Sequence, residues 1–115
     1  MSLYRSENNV FCDTVKVAVA VDDTVDKIRP SKNFSSPQQP YKLEAVSVKF
    51  DSEASGDLNI YAVKNGVELL VRTQAVESAG TVIVSNIGLW LTAGDEVKVE
   101  NKADQDATAI VDFAY

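Results

Sequence analysis

Apolar and polar residues alternate along most of this 115-residue chain. A period of two is typical of strands that bury one face, because successive side chains point to opposite sides. In residues 14–21 this spacing places Val15, Val17, Val19 and Val21 on one face. Residues 25–29 form either a short strand or one helical turn. The alternation and several short apolar runs predict strands over residues 14–21, 41–50, 58–64, 67–73, 81–84, 89–91, 96–101 and 107–115.

The clearest turn signal is Asn65-Gly66, which lies between two alternating runs. These residue types tolerate the positive φ that a two-residue type I′ turn needs at both positions, so we predict a hairpin with its tip there. The predicted register pairs Lys64 with Val67, Ala62 with Leu69, Ile60 with Val71 and Leu58 with Thr73. The predicted core face then consists of Leu58, Ile60, Ala62, Val67, Leu69 and Val71. The opposite face, where Tyr61 and Leu70 form an apolar pair, consists of Asn59, Tyr61, Val63, Glu68, Leu70 and Arg72.

Polar segments separate the predicted strands. Residues 51–57 are predicted to be a turn and residues 74–80 a polar connection. Residues 30–40 contain all three prolines and only Phe34 as an apolar residue, which predicts a loop. Residues 1–12 show neither period and form a predicted N-terminal arm, which either folds back on its own domain or lies across a neighbouring subunit.

About eight strands, turn signals every ~8 to 12 residues and no convincing helix predict an all-β protein. We expect a single antiparallel β-sandwich domain over residues 13–115, after the arm. Eight strands favour a jelly roll. An immunoglobulin-like or fibronectin-like sandwich of seven strands is the alternative.

Charge narrows the classes of partner. The chain has 17 acidic and 11 basic residues, a formal charge of −6. Because the basic residues are scattered, we expect no binding to nucleic acid or to an anionic membrane surface. The N-terminal residues lack the apolar run of a secretory signal, and no segment approaches the ~18 to 20 apolar residues of a membrane span. Cys12, the one cysteine, is expected to be a small buried residue.

The chain has no histidine, so it lacks the residue on which a serine triad or a zinc site of the usual kind depends. No glycine-rich phosphate loop is present. The remaining candidates for acid–base chemistry are carboxylates at predicted turns, namely Asp51, Glu53, Asp57, Asp95 and Glu96. The nearest candidates for a calcium site are Asn101, Asp104 and Asp106. Acidic residues at turns commonly serve local hydrogen bonds, so we predict no enzyme, no cofactor and no metal site.

Aromatic and apolar residues outside the expected core are the candidates for binding a partner. Trp90 is ambiguous, since its neighbours Leu89 and Leu91 take the opposite face, and either the tryptophan or both leucines face outward. Such residues suit a structural protein that binds its neighbours, or a carbohydrate- or receptor-binding module that stacks rings on a sugar. The candidates are Leu3, Tyr4, Phe34, Tyr41, Tyr61, Leu70 and Trp90.

Two stretches resemble known families. Residues 91–100, LTAGDEVKVE, resemble the L-x-x-G-D-x-V-x-V phrase found late in C1q/TNF-like jelly rolls. Residues 41–50, YKLEAVSVKF, followed by Gly-Asp-Leu-x-Ile at residues 56–60, resemble small virion proteins of tailed phages: capsid decoration, head-fibre or tail accessory proteins. The chain has no collagenous stalk, so the ligands of C1q-like domains are not implied.

The phage resemblance, which covers residues 41–115, implies a self-associating β-sandwich with a virion role. Together with the arm, the proline-containing loop, the exposed Tyr61 and Leu70 and the lack of catalytic residues, it predicts a protein that decorates the capsid as a homo-oligomer, with a trimer favoured, and that is made in the host cytoplasm. Its partner is then the major capsid protein or another virion protein.

Overall fold

A computed structural model describes residues 12–30 and 40–115, which form seven strands. Every pairing between them is antiparallel. These ranges contain no helix long and apolar enough to cross a membrane. Most of the predicted arm and of the proline-containing loop lies outside the described residues. In chain order the strands are β1 (Cys12–Val19), β2 (Thr24–Ile28), β3 (Tyr41–Lys64), β4 (Val67–Val84), β5 (Leu89–Leu91), β6 (Glu96–Asn101) and β7 (Ala107–Ala114).

One long strand, β3, organises the sheet. Along one edge, its first half pairs with β7 and its second half with β6, while β4 and β5 pair with the opposite edge. β1 pairs with β7, and β2 pairs with β6. The sheet curls midway along β3, so that its two halves face each other. The first layer contains β1, β7, β5, the start of β3 and the end of β4, and the second layer contains β2, β6, the end of β3 and the start of β4.

The two layers share one hydrophobic core. Its members occupy alternate positions on their strands, which is the period that the sequence predicts. The predicted all-β antiparallel β-sandwich is confirmed, with seven strands described where about eight were expected. The buried side chains include Leu43, Val46, Val48, Val111 and Phe113 from the first layer and Leu58, Ile60, Val97 and Val99 from the second.

The predicted turn at residues 51–57 and the predicted connection at residues 74–80 are wrong. β3 and β4 run through these segments as continuous strands of 24 and 18 residues. The two segments pair with each other, with a register shift between Ala54 and Gly56. Bulges of this kind increase the local bend, which lets both strands pass from one layer to the other. Ala54 and Val76 are buried at this bend, so each polar segment still contributes an apolar side chain to the core.

The predicted hairpin tip is confirmed at Asn65 and Gly66, whose φ angles are 53° and 81°. The two predicted pairs nearest the tip are also confirmed: Lys64 with Val67, and Ala62 with Leu69.

Beyond these pairs the predicted register is wrong by one residue. β4 has one extra residue, Val71, between Leu70 and Arg72, and this bulge is invisible to a rule that assumes even pairing. The observed pairs are Ile60 with Arg72, not Val71, and Leu58 with Gln74, not Thr73.

Two residues predicted to face the core, Val67 and Leu69, are 58% and 43% exposed. Both lie at the start of β4, which pairs only with β3 among the described residues. Their side chains therefore have a neighbouring strand on one side only. Alternation alone does not distinguish such an edge strand from a central one.

The start of the chain also differs from the prediction at its turns. β1 begins at Cys12, one residue before the predicted domain start, and ends at Val19. Val21, predicted to face the core, is 39% exposed because the chain turns at Asp22, where φ is 59°. Of the two alternatives for residues 25–29, the strand is confirmed as β2.

Asn101 fixes the end of β6 to its surroundings. Its side chain is fully buried, and its Nδ2 donates hydrogen bonds to the carbonyl oxygens of Val19 (3.1 Å) and Gln105 (2.9 Å). Its Oδ1 accepts a hydrogen bond of 2.9 Å from the Ala103 amide. One side chain therefore connects the end of β1 to the segment that joins β6 to β7.

Gly56 allows β3 to approach that same segment closely. Its φ is +139°, and a Cβ added there would lie 2.5 Å from the Lys102 carbonyl oxygen and 2.6 Å from the Ala103 Cα. Only glycine adopts this backbone conformation without strain and leaves room for the neighbouring backbone.

Candidate interaction surface

Three of the seven predicted partner-binding residues, Leu3, Tyr4 and Phe34, lie outside the described residues. The other four fall at separate places on the sandwich, and they do not form one cluster. Tyr41 is in the core, Tyr61 and Leu70 lie on the second layer, and Trp90 lies on the first.

The prediction that Tyr41 lies outside the core is wrong, because the residue is only 2% exposed. Its ring packs edge-on against Phe113 at a centroid distance of 5.4 Å. Its hydroxyl donates a hydrogen bond of 2.9 Å to the carbonyl oxygen of Asp95. Burial, and after it the Asp95 charge, raise the pKa of Tyr41 to about 12. The residue stabilises the start of β3 and offers no ring to a ligand.

Tyr61 and Leu70 face each other across β3 and β4, as predicted. The Tyr61 hydroxyl donates a hydrogen bond of 3.2 Å to Oε1 of Glu100. Burial and the neighbouring Glu100 carboxylate raise the pKa of Tyr61. Leu70 is 58% exposed. The leucine is thus the apolar side chain that this pair presents to solvent.

The polar side chains on the outer face of the second layer form hydrogen bonds and an ion pair with one another. The Thr73 hydroxyl donates to Asn59 Oδ1 (2.8 Å), and Asn59 Nδ2 donates to Glu100 Oε1 (2.8 Å). Lys98 and Glu68 form an ion pair of 2.6 Å. These contacts cross the neighbouring strands β4, β3 and β6. A partner docking here would have to compete with hydrogen bonds that the chain already makes.

Trp90 faces outward from the first layer. It is 52% exposed, whereas Leu91 is buried and Leu89 is half-buried. The ammonium group of Lys42 lies 5.4 Å from the centroid of the Trp90 ring, and the same group pairs with Glu44 at 3.3 Å. A cation over the ring restrains the indole in one orientation.

The outer edge of β4 carries four of the seven large apolar residues that are exposed in the described part of the chain. Among the described residues only β3 pairs with β4, and none of them forms a further strand beside the 18 residues of this edge. A long apolar edge strand is a ready site for the addition of another strand. The exposed large apolar residues of β4 are Val67 (58%), Leu69 (43%), Leu70 (58%) and Ile83 (64%).

The end of this edge carries no charge. Residues 78–94 contain no Asp, Glu, Lys or Arg, although 24% of the chain is charged. Natural edge strands commonly carry a lysine or another charge that discourages pairing. This uncharged segment (residues 78–94) includes both Ile83 and Trp90. Ile83 is not among the residues predicted to bind a partner, and the uncharged run is the sequence signal that points to it.

The two acidic residues predicted as candidates for calcium binding accept hydrogen bonds from backbone amides. Asp104 Oδ1 accepts a hydrogen bond from the Ser55 amide, and Asp106 Oδ1 accepts one from the Val21 amide, each at 2.9 Å. Within residues 12–30 and 40–115, no three Cys, Asp or Glu side chains form a group that could hold a metal ion. These carboxylates fix the loops at the bend of the sheet.

Cys12, expected to be buried, is exposed. It is the first residue of β1 and pairs with Ala114 at the end of β7. The following residue, Asp13, is buried, so alternation turns the cysteine to the outer side of the first layer.

No protein-family model matches the chain, and no curated protein matches it in sequence. The NLP core of Drosophila, described in connection with pentamer formation and histone binding, is 8% identical with a TM-score of 0.54, covering 90% of this chain and 95% of that one. A protein of Bacillus endospore appendages, described as disulfide-linked pili, is 18% identical with a TM-score of 0.50, covering 100% and 96%.

A family 32 carbohydrate-binding module of C. perfringens NanJ, solved with galactose, is 16% identical with a TM-score of 0.48, covering 86% of this chain and 93% of that one. At these identities the likeness concerns the fold. The chain has the β-sandwich, jelly-roll-like fold that the sequence predicts.

Proposed function

We propose that this chain is a non-enzymatic structural protein that binds its neighbours in a large particle, and that it decorates the capsid of a tailed phage as a homo-oligomer. The observation that carries the proposal is the apolar edge of β4. Its four large exposed apolar residues and its uncharged end suit permanent contact with another protein.

The fold supports self-association. Pentamer formation is named for the Drosophila NLP core and pili for the Bacillus appendages, and both proteins are similar to this chain over nearly its whole length. Self-association of this chain is therefore in keeping with what is named for these two proteins of similar fold.

The side-chain chemistry supports a non-enzymatic role. Asp95, Asp104 and Asp106, which were candidates for catalysis or metal binding, accept hydrogen bonds from backbone amides. Each of these carboxylates is held in place by a backbone amide of its own chain and fixes a turn or a loop of the sandwich. The virion role itself rests on the resemblance of residues 41–50 and 56–60 to phage accessory proteins.

Immunogold electron microscopy tests the particle. Antibody raised against the purified chain is applied to particles released from a culture that expresses the gene. We expect gold on the outer surface of phage capsids, where the major capsid protein is the partner. Label confined to cells or to filaments, with bare capsids, would contradict capsid decoration. Sedimentation velocity of the purified chain is the second measurement, and a strict monomer would contradict the homo-oligomer.

A carbohydrate-binding module is the second candidate, and the exposure of Trp90 favours it. A half-exposed indole, restrained by the cation of Lys42, can stack on a sugar ring. A glycan array probed with the chain and with Trp90→Ala separates the two functions. Binding that disappears in Trp90→Ala supports the module, whereas a capsid decoration protein binds no glycan on the array.

A further inference from the structure

We propose that two copies of the chain join edge to edge through the end of β4, antiparallel and about a two-fold axis that passes through Ile83. This inference rests on the proposed function and deepens it, since it names the surface through which the homo-oligomer forms. The first layers of the two copies would then be continuous, each contributing β1, β7, β5, the start of β3 and the end of β4.

The regular part of the strand sets the register. Residues 81–84 pair evenly with β3, from Thr81 opposite Lys49 to Val84 opposite Val46. Positive φ angles interrupt the extended backbone at Ser78 (51°) and at Asn86 (57°). Of the extended residues between these two positions, Ile83 is the large apolar one that is exposed, so we place the two-fold axis there.

Antiparallel pairing about this centre matches the two faces of the strand. Val82 and Val84 point inward, because they pair with the buried Val48 and Val46, and Ile83 points outward. In the dimer each Val82 lies opposite the second copy's Val84, so the half-buried Val82 gains a neighbour and the core continues across the seam. Ile83, which is 64% exposed in one copy, lies opposite its equivalent.

Charge favours this half of the edge for contact with a second copy. Each copy has a formal charge of −6, so two copies repel each other, and the repulsion is weakest where neither carries charge at the contact. None of the residues paired in the proposed register is charged. The first half of β4 lacks this property, since it carries Glu68, Arg72 and Glu77.

A two-fold contact differs from the trimer that is favoured in the prediction from the sequence. In a two-fold contact the same surface is used by both copies, whereas a closed trimer needs two different surfaces on each copy. The mass of the smallest associated species therefore separates the two arrangements.

Cysteine cross-linking tests the register directly. Cys12→Ser removes the native thiol, and Ile83→Cys is added in that background. Residues directly opposite on antiparallel strands have Cα atoms about 4.5 to 5.5 Å apart, within the range of ~4.4 to 6.8 Å that a disulfide spans. The matched control is Leu70→Cys in the same background, because Leu70 lies on the same strand and is also more than half exposed. Mild oxidation of a dilute sample is followed by a non-reducing gel.

We expect a covalent dimer from Ile83→Cys and monomer from Leu70→Cys. Equal cross-linking of both variants, or cross-linking of Leu70→Cys alone, would overturn the proposed register. An unlinked Ile83→Cys in a sample that sedimentation shows to be dimeric would overturn it as well.

Lysine substitution tests whether the edge or the outer face makes the contact. Ile83 and Ile110 flank Ser47 on the outer face of the first layer, one on the edge strand and the other on an inner strand. Ile83→Lys places two lysines opposite each other across the seam, whereas Ile110→Lys leaves the edge unchanged. Sedimentation velocity from about 1 μM to about 1 mM covers the affinities of small interfaces. Circular dichroism checks that both variants fold.

We expect Ile83→Lys to weaken the dimer at least tenfold and Ile110→Lys to change it less than about twofold. Equal weakening by both substitutions would mean that copies stack face to face, which overturns the edge contact but leaves the homo-oligomer intact. An unmodified chain that is monomeric throughout the range would overturn the dimer and, with it, the oligomeric part of the proposed function.

Discussion

The buried carboxylate of Asp95 connects the hairpin tip to the turn before β6. Its Oδ1 accepts a hydrogen bond of 3.0 Å from the Asn65 amide, and its Oδ2 accepts bonds from the Thr92 amide (2.9 Å) and hydroxyl (3.2 Å). Burial raises the pKa of Asp95, whereas these hydrogen bonds and the charge of Lys64 lower it. Their combined effect is the larger, so the net shift of the pKa is downward. The ionised form is the one that the folded chain stabilises.

Stability should therefore depend on the protonation of Asp95. A carboxyl with a lower pKa in the folded state contributes fully above its ordinary pKa of 3.8, and the contribution is lost as the pH falls through the folded-state pKa. We expect the free energy of urea unfolding to differ more between the native chain and Asp95→Asn at about pH 6 than at about pH 3. A difference that stays the same at both pH values would contradict this role.

Asn101 is the residue on which the bend depends most. Asn101→Ala leaves the Val19 and Gln105 carbonyls and the Ala103 amide without their side-chain partner in a buried place. We expect a loss of roughly 2 to 4 kcal/mol in the free energy of unfolding, measured with urea. The control is Asp104→Ala, which removes one exposed hydrogen bond and should cost less than about 1 kcal/mol. Equal losses would mean that burial of Asn101 adds nothing.

At the scale of elements, the positions of the strands could be predicted because one buried face imposes a period of two. Their continuity could not be predicted. Residues 51–57 and 74–80 are polar because they lie where both strands bend around the end of the sandwich, with most of their side chains in water. A polar stretch of sequence shows that side chains are solvated, but not whether the backbone is still paired. The bulge at Val71 could not be predicted either. An extra residue on an edge strand leaves the alternation of apolar and polar residues in the sequence unchanged.

The bend requires glycine at one position, and two glycines of the β3–β4 ribbon allow a matched comparison. Gly56→Ala places a methyl group 2.5 Å from the Lys102 carbonyl oxygen in a backbone of positive φ. Gly80→Ala meets nothing within 4 Å. We expect Gly56→Ala to lower the free energy of urea unfolding by roughly 2 to 4 kcal/mol, and Gly80→Ala to change it by less than about 1 kcal/mol. The prediction fails if the two variants are equally stable.

At the scale of the whole molecule, the exposed residues could be predicted only on strands where no bulge interrupts the alternation of inward and outward side chains. An unbroken period of two from Val46 and Val48 would put Tyr41 on the outer face of the sheet. A register shift between Leu43 and Ala45 interrupts that period, and Tyr41 points inward. Leu70 lies close to the hairpin tip, before any shift, and its exposure is as expected. Ile83 lies in an apolar run, where the sequence does not show which side chains face out.

The charge of the whole chain predicts how its association responds to salt. Each copy carries −6, and the distance over which that charge acts falls from about 30 Å at 0.01 M salt to about 8 Å at 0.15 M. A seam at Ile83 contains no ion pairs that salt could weaken, so screening acts on the repulsion alone. We expect the dimer fraction, measured by sedimentation velocity at one protein concentration, to rise with sodium chloride over this range. A contact built on charged residues, such as Lys98 and Glu68 on the outer face of the second layer, would respond in the opposite direction. Association that weakens as salt is added would therefore place the contact on that charged face, away from the uncharged end of β4.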